Sequence, residues 1–231
     1  MKVLVSDFDK TFFTKEFNKN IDSVNKFVDE GNMFIIATGR NLSNLKKEIK
    51  DLNIKFSYLI CSDGALICDS KYKIVNKIDI DYKLVKPIYD IMKDSSVIDD
   101  VYIDDGTTLS TNAEYANAIV GKYNDYGQAT FLLKEIEDKF EDVHGYLSDN
   151  WLIVNNLKTT KAFAIHHLIS LGKFKNKDVI VVGDHTNDVS MYLDFDGYAI
   201  ENSIIKIKKL ASKQVKDFKG VIKSLNLNKS S

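Results

Sequence analysis

Residues 2–11 read KVLVSDFDKT. An apolar run ends there in two aspartates flanking a phenylalanine, with a threonine two positions further on. A run without polar alternation suits a strand covered on both faces. Three more segments share its character: MFIIATGR (33–40), SYLICSDG (57–64) and DVIVVGDHTND (178–188). Between the first two, IDSVNKFVDEG (21–31) places Ile21, Val24, Phe27 and Val28 on one helical face, with Gly31 as a stop. NLSNLKKEIKDL (41–52) repeats the pattern with Leu42, Leu45, Ile49 and Leu52. Strand alternating with helix predicts an α/β fold with a parallel sheet and crossover helices. In such sheets ligands gather beyond the carboxyl ends of the strands.

That rule separates Asp7 and Asp9 from two look-alike pairs. Asp194 and Asp196 follow the short helical stretch VSMYL and precede Gly197, a turn signature. Asp79 and Asp81 lie between a polar hairpin and a helix, and both pairs are read as structural. The other strand ends carry chemistry that matches the first pair. Thr38-Gly39 offers a hydroxyl and an unhindered amide for an anionic oxygen. GDHTND puts Asp184 at a strand end and Asp188 four residues later. With Asp7, and beside Asp9, they form a set of hard oxygen ligands without the His or Cys of a zinc site, which suits Mg²⁺. Asp188 is equally placed to cap its helix.

Two basic residues stand out. The chain holds one arginine among 32 basic residues, Arg40. It is either an incidental residue or a planar grip for a carboxylate or phosphate. In NNLKTTKAFAIHHL, Thr159 or Thr160 is an N-cap that puts Lys161 in the first helical turn. A cation there opposes the helix dipole by about 0.3–1 kcal/mol. It either faces solvent and tolerates that cost, or faces an anion held among the strand ends.

Composition bounds the partners. The chain has 231 residues, a net charge of −1, 44% hydrophobic and 28% charged residues. That balance offers no attraction for nucleic acid or an anionic membrane and leaves the oligomeric state open. The N-terminus meets an acid too early for a signal peptide, and Cys61 and Cys68 are too few for a disulfide framework. A cytoplasmic location with reduced thiols is expected.

The motifs DFDKT, the threonine of ATGR, Lys161 and GDHTNDVSM resemble, in order, the four motifs of the haloacid dehalogenase-like hydrolases. CSDGALI (61–67) and YAIENSIIKIKKLA (198–211) look like the Cof-type, subfamily IIB branch of phosphatases. The resemblance covers nearly the whole chain. It implies a Rossmann-like core over 1–80 and 155–231, with an inserted α+β cap over 81–154 that selects substrate. It further implies Asp7 as nucleophile and Asp9 as general acid/base. Thr38, Gly39, Lys161 and Asn187 would hold the phosphoryl group. Mg²⁺ would sit on Asp7, Asp184 and the backbone carbonyl of Asp9, supported by Asp188. Arg40, Asp63 and His185 would be possible substrate contacts. Lys10 stands where the family usually has glycine and is expected to point to solvent. Asp63 replaces a frequent asparagine, and His185 a glycine or serine.

The implied activity is hydrolysis of small phosphorylated metabolites, sugar phosphates first, through an aspartyl phosphate. Dehalogenation needs no acid at Asp9 and no Mg²⁺, so Asp9 argues against it. A phosphotransferase or mutase using the same motifs is the alternative, followed by a regulatory module phosphorylated on Asp7 without turnover. Within the insert, DYKLVKPIYDIMKD and TFLLKEIEDKF read as helices. Strands are expected around VIDDVYIDDGTTLS, VHGYLS and NWLIVN. Candidate readers of the leaving group there are Tyr102, Asp104, Tyr115, Tyr126, His144 and Trp151. KIKKLASKQVK (206–216) reads as a helix with a solvated face, and the terminal NKSS as frayed.

Overall fold

The structure, a computed structural model, describes residues 1–111 and 115–227; the terminal NKSS lies outside the described residues. The chain opens with β1 (Val3–Asp7), α1 (Phe17–Asp29), β2 (Met33–Ala37), α2 (Leu42–Ile49) and β3 (Tyr58–Cys61). A hairpin of β4 (Leu66–Asp69) and β5 (Ile74–Lys77) follows. The inserted segment contains α3 (Tyr82–Asp94), β6 (Ile98–Asp104), β7 (Leu109–Ser110), β8 (Ala118–Tyr123), α4 (Tyr126–Lys139), β9 (Val143–Ser148) and β10 (Trp151–Asn156). The chain then returns through α5 (Lys161–Ser170), β11 (Val179–Gly183), α6 (Val189–Asp194), β12 (Asp196–Ala199), α7 (Ile205–Leu210), β13 (Lys213–Gln214) and α8 (Phe218–Leu227).

The first sheet has eight strands in the order β13-β12-β11-β1-β2-β3-β4-β5. It is parallel from β13 to β3, with the antiparallel hairpin at one edge. The unbroken apolar runs are explained by burial on both faces. Leu4 packs with Phe27, Leu45 and Phe218 under α1, α2 and α8, while Val3 and Val5 pack with Ile165, Leu168 and Ile207 under α5 and α7. Residues 3–5 are therefore apolar at successive positions and not at alternate ones. No helix among the described residues is long and apolar enough to cross a membrane.

The inserted segment forms its own antiparallel sheet, β7-β6-β8-β10-β9, which covers the carboxyl ends of the parallel strands as a cap. Its helices pack on one face around Ile88, Met92, Leu132, Ile136, Leu152 and Val154. Side chains tie the two sheets together: Asn117 donates to the Ile78 carbonyl at 2.8 Å, Asn156 to the Asp79 carbonyl at 3.0 Å, and Ser62 to Asp104 at 2.9 Å.

Three local expectations need correction. The insert holds one strand more than the sequence reading assigns, and that strand, β8, lies between β6 and β10 in the sheet. Gly121 disguises it: a side chain there would meet Met92 Cε at 2.7 Å and Ile98 at 2.9 Å, so close packing forces a weak strand former into a strand. The last strand of the insert runs to Asn156, past the expected limit at 154. Finally, the helix expected over 206–216 stops at Leu210. Lys213 and Gln214 instead pair with Tyr198 and Ala199, because the open edge of β12 offers backbone partners that a further helical turn would forgo.

Candidate active site

Asp7 ends β1, and Lys161 opens α5 behind it. Thr160 caps that helix by accepting the Phe163 N–H at 3.0 Å, which fixes where Lys161 begins. The lysine is completely buried, and its Nζ donates to Asp7 and to Asp188, at 2.7 Å in each case. The solvent-facing reading of Lys161 is therefore excluded: its ammonium faces two carboxylates of the protein itself. Two charge-assisted bonds outweigh the few tenths lost against the helix dipole. The other oxygen of Asp188 accepts the backbone N–H groups of Asp184 at 2.9 Å and His185 at 3.1 Å. Asp188 thus folds the loop after β11 back on itself while holding the lysine. Gly183 makes this possible, since a Cβ there would sit 2.4 Å from the Asp188 Cγ.

Asp184 hangs over the same pocket, where Thr11 Oγ1 donates to it at 3.0 Å. One carboxylate oxygen from each of Asp7, Asp184 and Asp188 lies within 4.8 Å of the others, a spacing that a divalent cation can span. The electrostatics point the same way. Burial pushes Asp7 well above the usual carboxylate range, and repulsion from Asp188 and Asp184 adds to this against the pull of Lys161. Burial and Asp188 likewise raise Asp184. For Lys161 burial favours the neutral amine, but Asp188, Asp7 and Asp63 outweigh it and hold the ammonium charged. One internal ammonium does not relieve three carboxylates, and the donor set is all hard oxygen, so a Mg²⁺-type ion fits.

The Asp9 side chain lies beside the trio of carboxylates and not within it. Its carboxylate turns away from the acidic cluster toward Arg40, which grips it with Nε at 2.8 Å and Nη2 at 2.6 Å. Arg40 also reaches Glu48 at 3.1 Å and lies over the rings of Phe8 and Phe13, 5.1 Å and 5.7 Å from their centroids. The loop carrying Asp9 is anchored by those same rings. Phe8 stacks on Phe13 at 5.1 Å, while the Phe13 N–H closes on the Phe8 carbonyl at 2.7 Å. The lone arginine is therefore a bidentate clamp, and the carboxylate it holds belongs to this protein.

Thr38 and Gly39 follow β2 and line the cavity beside Arg40. The Thr38 hydroxyl accepts the Arg40 N–H at 3.1 Å, which leaves its proton available to donate. Asp63 is buried with a left-handed backbone (φ 51°). Burial raises it, while Lys161 and the Asn187 amide, which donates at 2.9 Å, pull the other way. Its second oxygen accepts the hydroxyl of Tyr146 from the cap. His185 and Asn187 line the same cavity. Lys10 is exposed, as expected, and there forms an ion pair with Asp149 of the cap at 3.0 Å. The two thiols are free and buried, and burial raises Cys68 to about 11, which keeps it protonated and inert. Asp194 pairs with His166 and Asp196 accepts Ser212, the structural duties read for that second acidic pair.

A cavity of about 320 Å³ lies between the strand ends and the cap. Of the six expected cap readers, Asp104 and Trp151 line it. Tyr115 and Tyr126 are exposed, His144 is bonded to the Thr159 carbonyl at 2.7 Å, and Tyr102 packs beside Trp151 with ring centroids 6.3 Å apart. Sequence reasoning missed Val120, Tyr146, Ser148, Asp149 and Ile153. Alternation along VHGYLS and WLIVNN could have singled out Tyr146, Ser148 and Ile153, once one face of each strand was assigned to the helices.

A family described as haloacid dehalogenase-like hydrolase matches residues 4–117 and 102–222. A Bacillus subtilis protein named 5-amino-6-(5-phospho-D-ribitylamino)uracil phosphatase is 30% identical over 108 residues, spanning 46% of this chain and 37% of its own. Among solved structures, a haloacid dehalogenase-like hydrolase from B. subtilis superposes with a TM-score of 0.85 at 17% identity, covering 98% of this chain and 99% of its own. A subclass IIB sugar phosphatase gives a TM-score of 0.82 at 18% identity, with 99% of each chain covered. At those identities the two structures share the fold.

Proposed function

The chain belongs to the haloacid dehalogenase-like hydrolases, and from that membership we propose that it is a Mg²⁺-dependent phosphatase of small phosphomonoesters, sugar phosphates being the first class to assay. One observation carries the reading. Asp7 and Asp184 line the cavity at the strand ends, and Lys161 and Asp188 are buried directly behind them, so a phosphoryl group at the floor would meet a carboxylate backed by an ammonium and a cation site.

Asp7 is the nucleophile: its carboxylate oxygen bonds to phosphorus as the bond from phosphorus to the alcohol oxygen breaks. Asp9 protonates the departing alkoxide and then takes a proton from the water that hydrolyses the aspartyl phosphate. Lys161, the Thr38 hydroxyl, the Gly39 amide and Asn187 hold the phosphoryl oxygens. Asp7, Asp184 and the Asp9 carbonyl, with Asp188 behind them, would hold Mg²⁺. When bound, the ion offsets the repulsion between the attacking carboxylate and the phosphoryl anion. Arg40 sets where the Asp9 carboxylate rests between steps.

Phosphate release from a panel of phosphomonoesters, with and without Mg²⁺ and with no added acceptor, tests the activity. Loss of the ester only when a second sugar is present, with the phosphoryl group found on that sugar and no phosphate released, would favour the phosphotransferase alternative. Asp9→Asn tests the roles. With an aryl phosphate, whose leaving group needs no proton, this variant should give a phenolate burst approaching one equivalent per enzyme, followed by a slow phase. Asp7→Asn should give none, and EDTA should suppress the burst. Steady multiple turnover by Asp9→Asn would remove it as the acid/base.

A further inference from the structure

The cap's inner face differs in chemistry from the floor it covers. Strand register lines up Tyr102 with Val120, Val120 with Ile153 and Ile153 with Tyr146, one row across β6, β8, β10 and β9. Trp151 stands in the next row, opposite Lys122 and Ser148. Along β10 the alternate residues Leu152 and Val154 are completely buried against the cap helices, while Trp151 and Ile153 remain half-buried and line the cavity with Val120. The wall above the strand ends is thus an apolar, partly aromatic shelf.

Three of the polar cap groups around that shelf are already engaged, and Ser148, opposite Trp151, adds one hydroxyl at its edge. Tyr146 donates its hydroxyl proton to Asp63. Asp104 accepts Ser62 Oγ at 2.9 Å and the Gly106 N–H at 2.8 Å. Asp149 takes Lys10 at 3.0 Å. A polyol lying against this wall would exchange its hydrogen bonds with water for contacts with Val120, Ile153 and indole carbon, leaving hydroxyls unmatched. A flat unsaturated ring loses nothing of that kind and gains face contact with Trp151.

We propose that the alcohol released by this enzyme carries a planar aromatic or heteroaromatic ring, seated on Val120, Trp151 and Ile153. This rests on the phosphatase reading and narrows its substrate class away from simple sugar phosphates. Trp151 is the specificity-determining residue, because it supplies the largest flat surface on the shelf.

The test compares kcat/KM of the full-length protein with Mg²⁺ for pyridoxine 5′-phosphate and uridine 5′-monophosphate against glucose 6-phosphate and glycerol 3-phosphate. At least one ring ester should exceed both ring-free esters by about 10-fold or more. Trp151→Ala should lower the ring to ring-free ratio by about 5- to 150-fold, the range for losing one base-to-aromatic stack, and Trp151→Phe should retain most of it. A second readout needs no turnover. Trp151 is the chain's single tryptophan, so uridine monophosphate should quench its emission saturably in Asp7→Asn, and glucose 6-phosphate should not. Equal or better rates with ring-free esters, or an unchanged ratio in Trp151→Ala, overturn the ring proposal and leave the phosphatase reading standing. If no ester releases phosphate, the phosphatase reading falls. The emission titration then decides alone, a flat response overturning the seat.

Discussion

The floor and the roof of the cavity are built on opposite principles. On the floor, Asp7, Asp188 and Lys161 are buried, charged and bonded to one another. On the roof, Val120, Trp151 and Ile153 are half-buried and apolar. A buried charge is tolerable only with its partners in place, so the floor cannot change one residue without exposing another to a heavy cost. An apolar shelf carries no such coupling, and its residues can vary with modest effects on folding. On the proposed reading, the chemistry falls on the rigid, interlocked side and the choice of substrate on the permissive one.

The sharpest way to break that contrast is Lys161→Ala. It leaves Asp7 and Asp188 buried beside Asp184 with no cation, and the expected loss is about 3–5 kcal/mol in urea unfolding without metal. Mg²⁺ should restore part of it, because the ion binds only the folded cluster. A loss below about 0.5 kcal/mol would place Lys161 among ordinary surface lysines and dissolve the distinction. Relief of the helix dipole alone predicts a gain of a few tenths, so even the sign discriminates.

How much of this was legible beforehand differs between the two sides for a physical reason. Asp7, Asp184 and the helix start at Thr160 follow from local pattern: an apolar run that must end, and a hydroxyl that must cap. The Asp9 clamp does not, because Arg40 arrives from a different strand end, and nothing near Asp9 in sequence announces it. Asp63 and Tyr146 meet across 83 positions and two sheets, which no local period encodes. The same holds for β8, whose Gly121 is explained only by Met92 packed against it from α3. Strand ends and caps are sequence-local, while the seam between floor and roof is a product of packing.

That seam can be probed at Tyr146. Tyr146→Phe removes one of the side-chain donors to the buried Asp63, and a cost of about 1–3 kcal/mol is expected. Adding Asp63→Asn should recover much of it, since an amide leaves no charge behind. A double-mutant cycle measures the coupling. Equal losses in the single and double variants would mean that the two residues only touch.

Asp104 sharpens the comparison through pH. Burial leads in raising its carboxyl to about 6, against the bonds from Gly106 and Ser62. A carboxyl that holds its proton more tightly when folded contributes stability that is complete below the unfolded pKa and is lost as pH rises through 6. Between pH 5 and 6.5 the wild type should therefore lose about 1 kcal/mol relative to Asp104→Asn, in parallel unfolding curves. Parallel pH profiles for the two proteins would show that water reaches Asp104 and screens it.

The smallest effect is expected at Lys10, and its smallness is informative. Lys10 sits at φ 62°, in the left-handed region where an L side chain is strained by about 1–2 kcal/mol. That strain accounts for the glycine usual at this position in the family. Lys10→Gly would release it but would widen the unfolded ensemble, at a cost of about 0.5–1 kcal/mol. It would also delete the ion pair with Asp149, in which the two side chains are 61% and 71% exposed, so that pair is worth about 0–1 kcal/mol. These contributions nearly cancel, and the unfolding free energy should move by no more than about 0.5 kcal/mol. Salt is the better readout. The pair bridges floor and roof across open water, so added NaCl should change the KM of the wild type more than that of Lys10→Gly. Identical salt responses would show that Lys10 does not hold the roof and that its side chain is only tolerated in a glycine's conformation.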